Sequence, residues 1–312
     1  MDIPGSATHK LHAVPMPLAG GIALALCVLV LVPLLHLWQN DLAKLLVTAT
    51  IIFAFGLWDD AKGLGATVKL AGQVLASILL IGSDISVHFL EGLSIPFISG
   101  NMLIVLDWGV TILWFVGITN AFNLIDSMDG LVVGIAGIAF AFFMGMALVS
   151  QQIFLAKFSA VFFGICIGLF IFNVSPARLF LGDAGVQTLG FILAAVAMIY
   201  VPDNLPQSSS WFVPIMVLSV PIFDTTLVVV SRLIHHRPIF HADRAHTFHR
   251  LIAMGLDPNR AVLAIHVTTL VLNFLAFIAL SLVPFQANLI FGMAVCVGIA
   301  VLVFFECKEP LL

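Results

Sequence analysis

The stretch that decides the fold is an uncharged apolar run at residues 131–149, which reads LVVGIAGIAFAFFMGMALV. A helix that crosses the hydrocarbon core of a bilayer needs roughly 20 such residues. Inside lipid, the backbone of such a run must satisfy its own hydrogen bonds, and a helix does so within a single segment. Because similar runs recur along the whole chain, the sequence predicts an all-α, polytopic integral membrane protein.

Composition supports this prediction. Of the 312 residues, 62% are hydrophobic and 9% are charged, against roughly 25% charged residues in a soluble domain. The net charge of −4 gives no indication of nucleic-acid binding. We predict about ten transmembrane helices in a single domain, residues 1–312, from the apolar runs at 20–38, 44–58, 67–82, 103–122, 131–149, 157–173, 187–201, 211–231, 261–283 and 287–305.

The distribution of basic residues predicts the orientation of these helices. With ten helices, both termini lie on the same side of the membrane. Ten of the twelve Lys and Arg residues then fall on that side, and only Lys44 and Lys157 fall on the other. Because cytoplasmic loops are enriched in Lys and Arg, we expect this side to be the cytoplasmic face of the inner (plasma) membrane.

Most of the carboxylates in polar motifs fall on the same predicted face. Asp59 and Asp60 are adjacent at the inner end of the second apolar run. Two carboxylates beside lipid are costly unless water, a cation or a metal ion meets them. A solvated helix end, close to Lys62 and Lys69, is an equal alternative for this pair.

Two further motifs suggest metal and phosphate chemistry. Residues 120–131 read NAFNLIDSMDGL, in which Asn123, Asp126 and Asp129 recur every three residues and so share one face of a helical turn. Their oxygens are ligands suited to Mg²⁺, although a plain polar loop is an alternative. Asp183 lies between two glycines in residues 180–185, FLGDAG, where a helix-capping role is the alternative.

The longest loop on this face, residues 235–250, reads HHRPIFHADRAHTFHR. Arginine and histidine together suit a pyrophosphate group. Zinc is a weaker hypothesis because no cysteine accompanies the histidines, and a basic anchor for anionic lipid headgroups remains an alternative. Asp224 lies deep in an apolar run, so it is either a functional residue or a structural partner of a neighbouring helix. Together the motifs favour Mg²⁺-dependent phosphoryl transfer with a lipid partner.

The chain resembles the polyprenyl-phosphate N-acetylhexosamine-1-phosphate transferases, the WecA/MraY group, almost end to end, and is more similar to the WecA type. The family usually has one more helix before the Lys10–His12 loop, so we expect this first helix to be absent here. A second departure is Phe248, which stands where the family usually has a histidine. The resemblance is carried by Lys10, His12, Pro15, Pro17, Gly20 and Gly21; Asp59 and Asp60; residues 120–131; residues 180–185; Asp224 and Thr225; and residues 243–249.

The resemblance implies transfer of N-acetylhexosamine-1-phosphate from a UDP-linked donor, such as UDP-N-acetylglucosamine, to polyprenyl (undecaprenyl) phosphate. UMP is released, and the product initiates synthesis of a lipid-linked cell-surface glycan such as lipopolysaccharide. It also implies Mg²⁺ as the cofactor, while a homodimer is left open. The resemblance implies metal binding for Asn123 and Asp183, and proton abstraction for Asp59 or Asp60. It implies that Asp126 and Asp129 line the nucleotide and metal region. Substrate binding is implied for Arg244, His246 and His249, and we group Lys69 and Asp243 with them.

Two other functions compete with this one. A transporter would place its ionisable residues near the middle of the bilayer, whereas most of these acids lie at helix ends. A CDP-alcohol phosphotransferase is suggested by residues 126–130, DSMDG, but Val132, Val133 and Gly134 stand where its Ala-Arg pair belongs.

Overall fold

The computed structural model describes residues 16–38, 40–90, 99–202, 205, 212–238 and 245–308. Lys10, His12, Pro15, Asp243 and Arg244 lie outside the described residues. Twelve helices form there: α1 Gly20–Leu34, α2 Asn40–Lys62, α3 Ala66–Ile81, α4 Gly100–Ile125, α5 Leu131–Val149, α6 Ile153–Asn173, α7 Gly182–Ile199, α8 Phe212–Val217, α9 Ser219–Ile234, α10 Thr247–Ala253, α11 Pro258–Ala279 and α12 Pro284–Lys308.

The prediction of an all-α polytopic membrane protein is confirmed. Within the described ranges no strand forms, and an isolated bridge joins Leu18 to Phe180. Seven helices there are long and apolar enough to cross a membrane, namely α2, α4, α5, α6, α7, α11 and α12, while α1 and α3 are apolar but shorter. Every predicted run falls on a helix, and the number of ten spans stays a prediction.

The predicted run at 211–231 differs from the structure, because it is divided at Leu218 into α8 and α9. Pro221 has no N–H to donate to the carbonyl of Val217, and its ring crowds that carbonyl. The side chain of Asn273 in α11 donates to the freed Val217 oxygen at 3.0 Å. A side chain from a neighbouring helix thus satisfies the broken backbone inside the apolar bundle.

Helix α7 is the centre of the bundle. Fourteen of its residues are buried, from Ala184 to Ala197, and it packs most extensively against α2 and α4. The approach to α2 is close enough that a Cβ atom on Gly56 would lie 2.5 Å from the Cα atom of Ala184. This close contact brings the C-terminal end of α2, with its two aspartates, onto the N-terminal end of α7.

Candidate active site

Polar residues from three parts of the chain meet where α2, α3 and α7 come together. The ammonium group of Lys69 in α3 forms an ion pair with Asp59 in α2 and lies 3.4 Å from Oδ1 of Asp183 in α7. Asp60 in α2 also contacts the first turn of α7. The structure therefore brings together four of the residues that the sequence singled out.

Asp60 caps helix α7 from another helix. Its Oδ1 accepts a hydrogen bond from the backbone N–H of Asp183 at 2.8 Å, and its Oδ2 accepts one from Ala184 at 3.1 Å. The residue preceding α7, Leu181, provides no side-chain cap of its own. A carboxylate at this position satisfies two otherwise unpaired N–H groups and is favoured by the helix dipole.

Asp59 has different partners from its neighbour Asp60. Its Oδ1 accepts a hydrogen bond from the backbone N–H of Leu64 at 2.5 Å, and its Oδ2 is paired with Lys69. Its side chain is nearly buried. Lys69 is shared between Asp59 and Asp183, so its single positive charge offsets part of the repulsion between these two carboxylates.

The motif at residues 120–131 lies partly at the end of α4 and partly in the loop before α5. Oδ2 of Asp129 accepts a hydrogen bond from the backbone N–H of Ala177 at 3.0 Å. The neighbouring N–H of Gly130 donates to the side chain of Asn173, also at 3.0 Å. These two bonds fix the loop against the segment that connects α6 to α7. Within the described residues, the side chains of Asn123 and Asp126 make no hydrogen bond, so both are available to a ligand.

Asp126 lies in the loop that follows α4, outside the membrane-spanning helices. Its pKa is raised by burial against the surrounding protein and, in addition, by the negative charges of Asp183, Asp60 and Asp129. The side chain also reaches solvent, so water offsets part of the effect of burial. A cation bound among these groups would relieve the repulsion.

Two residues of the histidine-rich loop are held by α9. Nδ1 of His246 lies 2.8 Å from Oδ2 of Asp224, whose other oxygen accepts a hydrogen bond from the backbone N–H of Thr247 at 2.7 Å. Asp224 is 1% exposed. An ionised carboxylate only accepts hydrogen bonds, so it fixes the proton on Nδ1 of His246 and leaves Nε2 for another partner.

The residues that follow His246 in this loop also have defined contacts. The rings of His246 and His249 are 6.5 Å apart, and Phe248 between them packs into the hydrophobic core. Phe248 therefore contributes apolar packing at the position where the family usually has a histidine. The guanidinium of Arg250 donates to the carbonyl of Ala245 at 2.9 Å and to Glu306 of α12 at 2.6 Å.

Across the residues that the structure describes, no three His, Cys, Asp or Glu side chains are grouped closely enough to hold a metal ion. A zinc site therefore has no support in this part of the loop. Mg²⁺ makes a smaller demand, since it commonly uses one or two carboxylates together with waters and substrate phosphates.

Sequence reasoning missed several residues that support this site. Gln73 in α3 and Gln187 in α7 are both 2% exposed, and Glu306 reaches the site region from the last helix. Their position within apolar runs of the sequence could have identified them, because polar side chains within apolar helices usually have partners on another helix.

The polytopic helical bundle and its cluster of carboxylates around a lysine fit the class of integral-membrane phosphotransferases. Within this class the chain belongs to the family of polyprenyl-phosphate N-acetylhexosamine-1-phosphate transferases, which confirms the resemblance inferred from the motifs. The model of glycosyl transferase family 4 matches residues 42–201.

Relatives with established names agree with this family. The chain is 32% identical over 277 residues to a probable undecaprenyl-phosphate N-acetylglucosaminyl 1-phosphate transferase of Bacillus subtilis, covering 87% of this chain and 75% of the relative. It is 30% identical to the decaprenyl-phosphate N-acetylglucosaminephosphotransferase of Mycolicibacterium smegmatis, covering 94% and 79%. It is 33% identical to the phospho-N-acetylmuramoyl-pentapeptide-transferase of Lactiplantibacillus plantarum, covering 59% and 61%. The match to the two N-acetylglucosamine enzymes thus spans more of the chain.

Proposed function

We propose that the protein transfers N-acetylhexosamine-1-phosphate from a UDP-linked donor, of which UDP-N-acetylglucosamine is the first candidate, to polyprenyl phosphate. An oxygen of the lipid phosphate attacks the phosphorus that carries the sugar. The bond from that phosphorus to the UMP oxygen breaks, UMP leaves, and the lipid becomes a polyprenyl diphosphate sugar. The observation that carries the proposal is the convergence of Asp59 and Asp183 on Lys69, with Asp60 bound to the first turn of α7 beside them.

The two adjacent aspartates have different roles in this proposal. Asp60 is a capping residue, because both of its oxygens accept rigid backbone N–H groups of α7. Asp59 is the proton acceptor for the lipid phosphate. Its partner Lys69 is a flexible side chain that can turn towards a substrate phosphate and release the Asp59 carboxylate for proton transfer.

Asp183 and Asn123 are the residues that would hold Mg²⁺. They offer a carboxylate and an amide oxygen, both hard ligands, and Asn123 has no hydrogen-bond partner among the described residues. The cation supplies charge neutralisation at the diphosphate when it is bound. Asp126 and Asp129 line the same region, and the carboxylate of Asp129 additionally holds the loop through the N–H of Ala177.

The histidine-rich loop completes the donor site. Arg244, His246 and His249 bind the phosphates or the sugar, and Asp243 acts beside them, while Lys69 turns towards the phosphates. Asp224 keeps Nε2 of His246 available by occupying Nδ1. The whole site faces the cytoplasm from the inner membrane in this proposal, and the basic residues on that side support it.

The test is an assay of purified protein with polyprenyl phosphate and a panel of UDP-sugars, in which UMP and the lipid product are both measured. We expect Asp59→Asn and Asp183→Asn to lower turnover by about 100-fold or more, and chelation of divalent cations to abolish it. Asp41→Asn is the matched control, since it removes an exposed carboxylate at the opposite end of α2. Near-normal turnover by either active-site variant would refute its assigned role.

Two outcomes would favour the competing functions. Release of CMP from CDP-linked lipids, with no UMP from UDP-sugars, would indicate a CDP-alcohol phosphotransferase. Uptake of an unmodified substrate into proteoliposomes would indicate a transporter.

The cytoplasmic orientation is tested by cysteine labelling at the two ends of α5. In a background without native cysteines, Ser127→Cys lies in the loop before α5, beside the carboxylates. Ile153→Cys is the first residue of α6, just beyond the other end of α5, and both positions are exposed. We expect an impermeant maleimide to label only Ile153→Cys in intact cells. Labelling of Ser127→Cys from outside would overturn the orientation.

A further inference from the structure

A chain of side-chain amides runs through the interior of the bundle and ends at Asp183. Nε2 of Gln187 donates to Oδ1 of Asp183 at 3.2 Å, and Oε1 of Gln187 accepts from Nε2 of Gln73 at 3.1 Å. Gln73 also exchanges two hydrogen bonds with Asn120, at 2.6 and 3.3 Å. The chain thus crosses from α7 through α3 to α4.

The direction of this chain follows from chemistry. An ionised carboxylate only accepts hydrogen bonds, so Gln187 must turn its NH₂ group to Asp183 and its oxygen to Gln73. Gln73 must then turn its NH₂ group to Gln187. At the far end, Asn120 donates to the backbone carbonyl of Val116 at 2.8 Å, which fixes the orientation of the last amide.

The chain connects the two residues that we propose as metal ligands. Asn120 lies one helical turn before Asn123 on α4, and Gln187 lies one turn after Asp183 on α7. Through Gln73, the amides therefore hold these two turns at a fixed separation. Lys69 and Gln187 both contact Oδ1 of Asp183, so the ammonium group and the amide together fix the position of this oxygen.

Because these amides are buried, the network destabilises the fold unless each amide has its hydrogen-bond partners. Gln73 and Gln187 are each 2% exposed, and a buried amide without a hydrogen-bond partner costs about 1–3 kcal/mol. Apolar residues of similar size would pack the same space without that risk, and a fully satisfied polar network instead gives the bundle a unique geometry. The network ends on a carboxylate of the candidate active site.

We propose that Gln73 and Gln187 are positioning residues that orient the Asp183 carboxylate towards a divalent cation and set its distance from Asn123. This inference rests on the metal-binding role proposed for Asp183. Outer groups that orient a metal ligand typically change metal affinity or activity by about 10–100-fold when they are lost. We expect effects of that size from removal of the Gln187 amide.

The experiment compares Gln187→Met with the control Thr188→Val in the same helix. Thr188 is buried and its hydroxyl has no hydrogen-bond partner in the described residues, so its replacement removes a polar atom without breaking a hydrogen bond. Mn²⁺ binding is measured by electron paramagnetic resonance, and UMP release is measured against Mg²⁺ concentration. Gln187→Met should weaken Mn²⁺ binding and raise the half-saturating Mg²⁺ concentration by about 10-fold or more, while Thr188→Val should change neither by more than about twofold.

A double variant, Gln73→Met with Gln187→Met, separates positioning from stability. The double variant removes the buried Gln73 amide that has lost its acceptor in Gln187→Met. Asn120 loses its two bonds with Gln73, but it is only partly buried, so water replaces them and the thermal midpoint should recover part of what Gln187→Met alone loses. Mn²⁺ affinity should stay as low as in Gln187→Met. Recovery of Mn²⁺ affinity together with the thermal midpoint would overturn the proposal, because the glutamines would then be merely structural.

The failure of this inference differs from the failure of the proposed function. Normal UMP release by the unmodified protein, with unchanged Mn²⁺ binding in Gln187→Met, would overturn positioning and leave the transferase function standing. No UMP release from any UDP-sugar, with the expected loss of Mn²⁺ binding in Gln187→Met, would support positioning and refute the transferase function.

Discussion

Substituting Gly182 with alanine tests how Asp60 controls the first turn of α7. Gly182 has a φ angle of +70°, and a Cβ atom at this position would lie 2.5 Å from Oδ2 of Asp60. Gly63 has nearly the same φ angle, +69°, but a Cβ atom there would meet no atom within 4 Å. Gly63→Ala therefore introduces backbone strain alone, whereas Gly182→Ala introduces the same strain and also displaces the Asp60 carboxylate.

The expected magnitudes follow from these contacts. A left-handed conformation costs an alanine about 1–2 kcal/mol, which we expect for Gly63→Ala. Gly182→Ala additionally weakens two hydrogen bonds from the N–H groups of Asp183 and Ala184 to a charged acceptor. Hydrogen bonds to charged groups contribute roughly 1.5–3 kcal/mol each. Gly182→Ala should therefore lower the free energy of unfolding by roughly 2–4 kcal/mol more than Gly63→Ala does.

The assay is reversible unfolding in mixed detergent micelles, followed by measurement of UMP release on the folded protein. Turnover should fall much more in Gly182→Ala than in Gly63→Ala, because the displaced carboxylate no longer fixes the backbone of Asp183. The double variant Gly182→Ala with Asp60→Ala should cost less than the sum of the two single changes, since they break the same contact. Equal losses of stability and turnover in Gly182→Ala and Gly63→Ala would refute the reasoning.

Three further substitutions test the contact of Asp224 with His246, the ion pair of Glu306 with Arg250, and the charge of Asp126. Asp224→Asn removes the carboxylate that holds Nδ1 of His246, so KM for the UDP-sugar should rise about 10-fold with a smaller change in kcat; an unchanged KM with a lowered thermal midpoint would show a purely structural role. Glu306→Gln removes the negative charge from the buried ion pair with Arg250 and should lower the free energy of unfolding by roughly 3 kcal/mol. Arg260→Gln, in an ion pair that is largely exposed, should cost less than about 1 kcal/mol; similar losses in both would contradict this. The raised pKa of Asp126 means that its ionised form is disfavoured in the folded state, so Asp126→Asn should raise the thermal midpoint at pH 8. This gain in thermal midpoint should shrink as pH falls through the folded-state pKa, because the native aspartate then becomes protonated. A midpoint of Asp126→Asn at pH 8 below that of the unmodified protein would contradict this.

Much of the architecture was predictable from sequence for a physical reason. A long apolar segment in lipid must be helical, so hydropathy located a helix at each of the ten runs. The ends of α2, α4 and α7 carry the acidic motifs because charged groups avoid the middle of the bilayer. The break at Leu218 also had a signal in Pro221, but the acceptance of the freed carbonyl by Asn273 depends on where α11 packs.

The sequence by itself determined the class of protein, the helical runs and the order of the acidic motifs, because these depend on local composition and spacing. Only the tertiary structure decided that Asp60 caps α7 while Asp59 pairs with Lys69, and that Gln73 and Gln187 extend from Asp183. The contacts of Asp60 with α7 and of Gln73 with Gln187 join residues more than one hundred positions apart, whereas those of Asp59 with Lys69 and of Gln187 with Asp183 are local. They arise from the angle and depth at which α2 and α3 pack against α7, and neither hydropathy nor motif spacing carries that information.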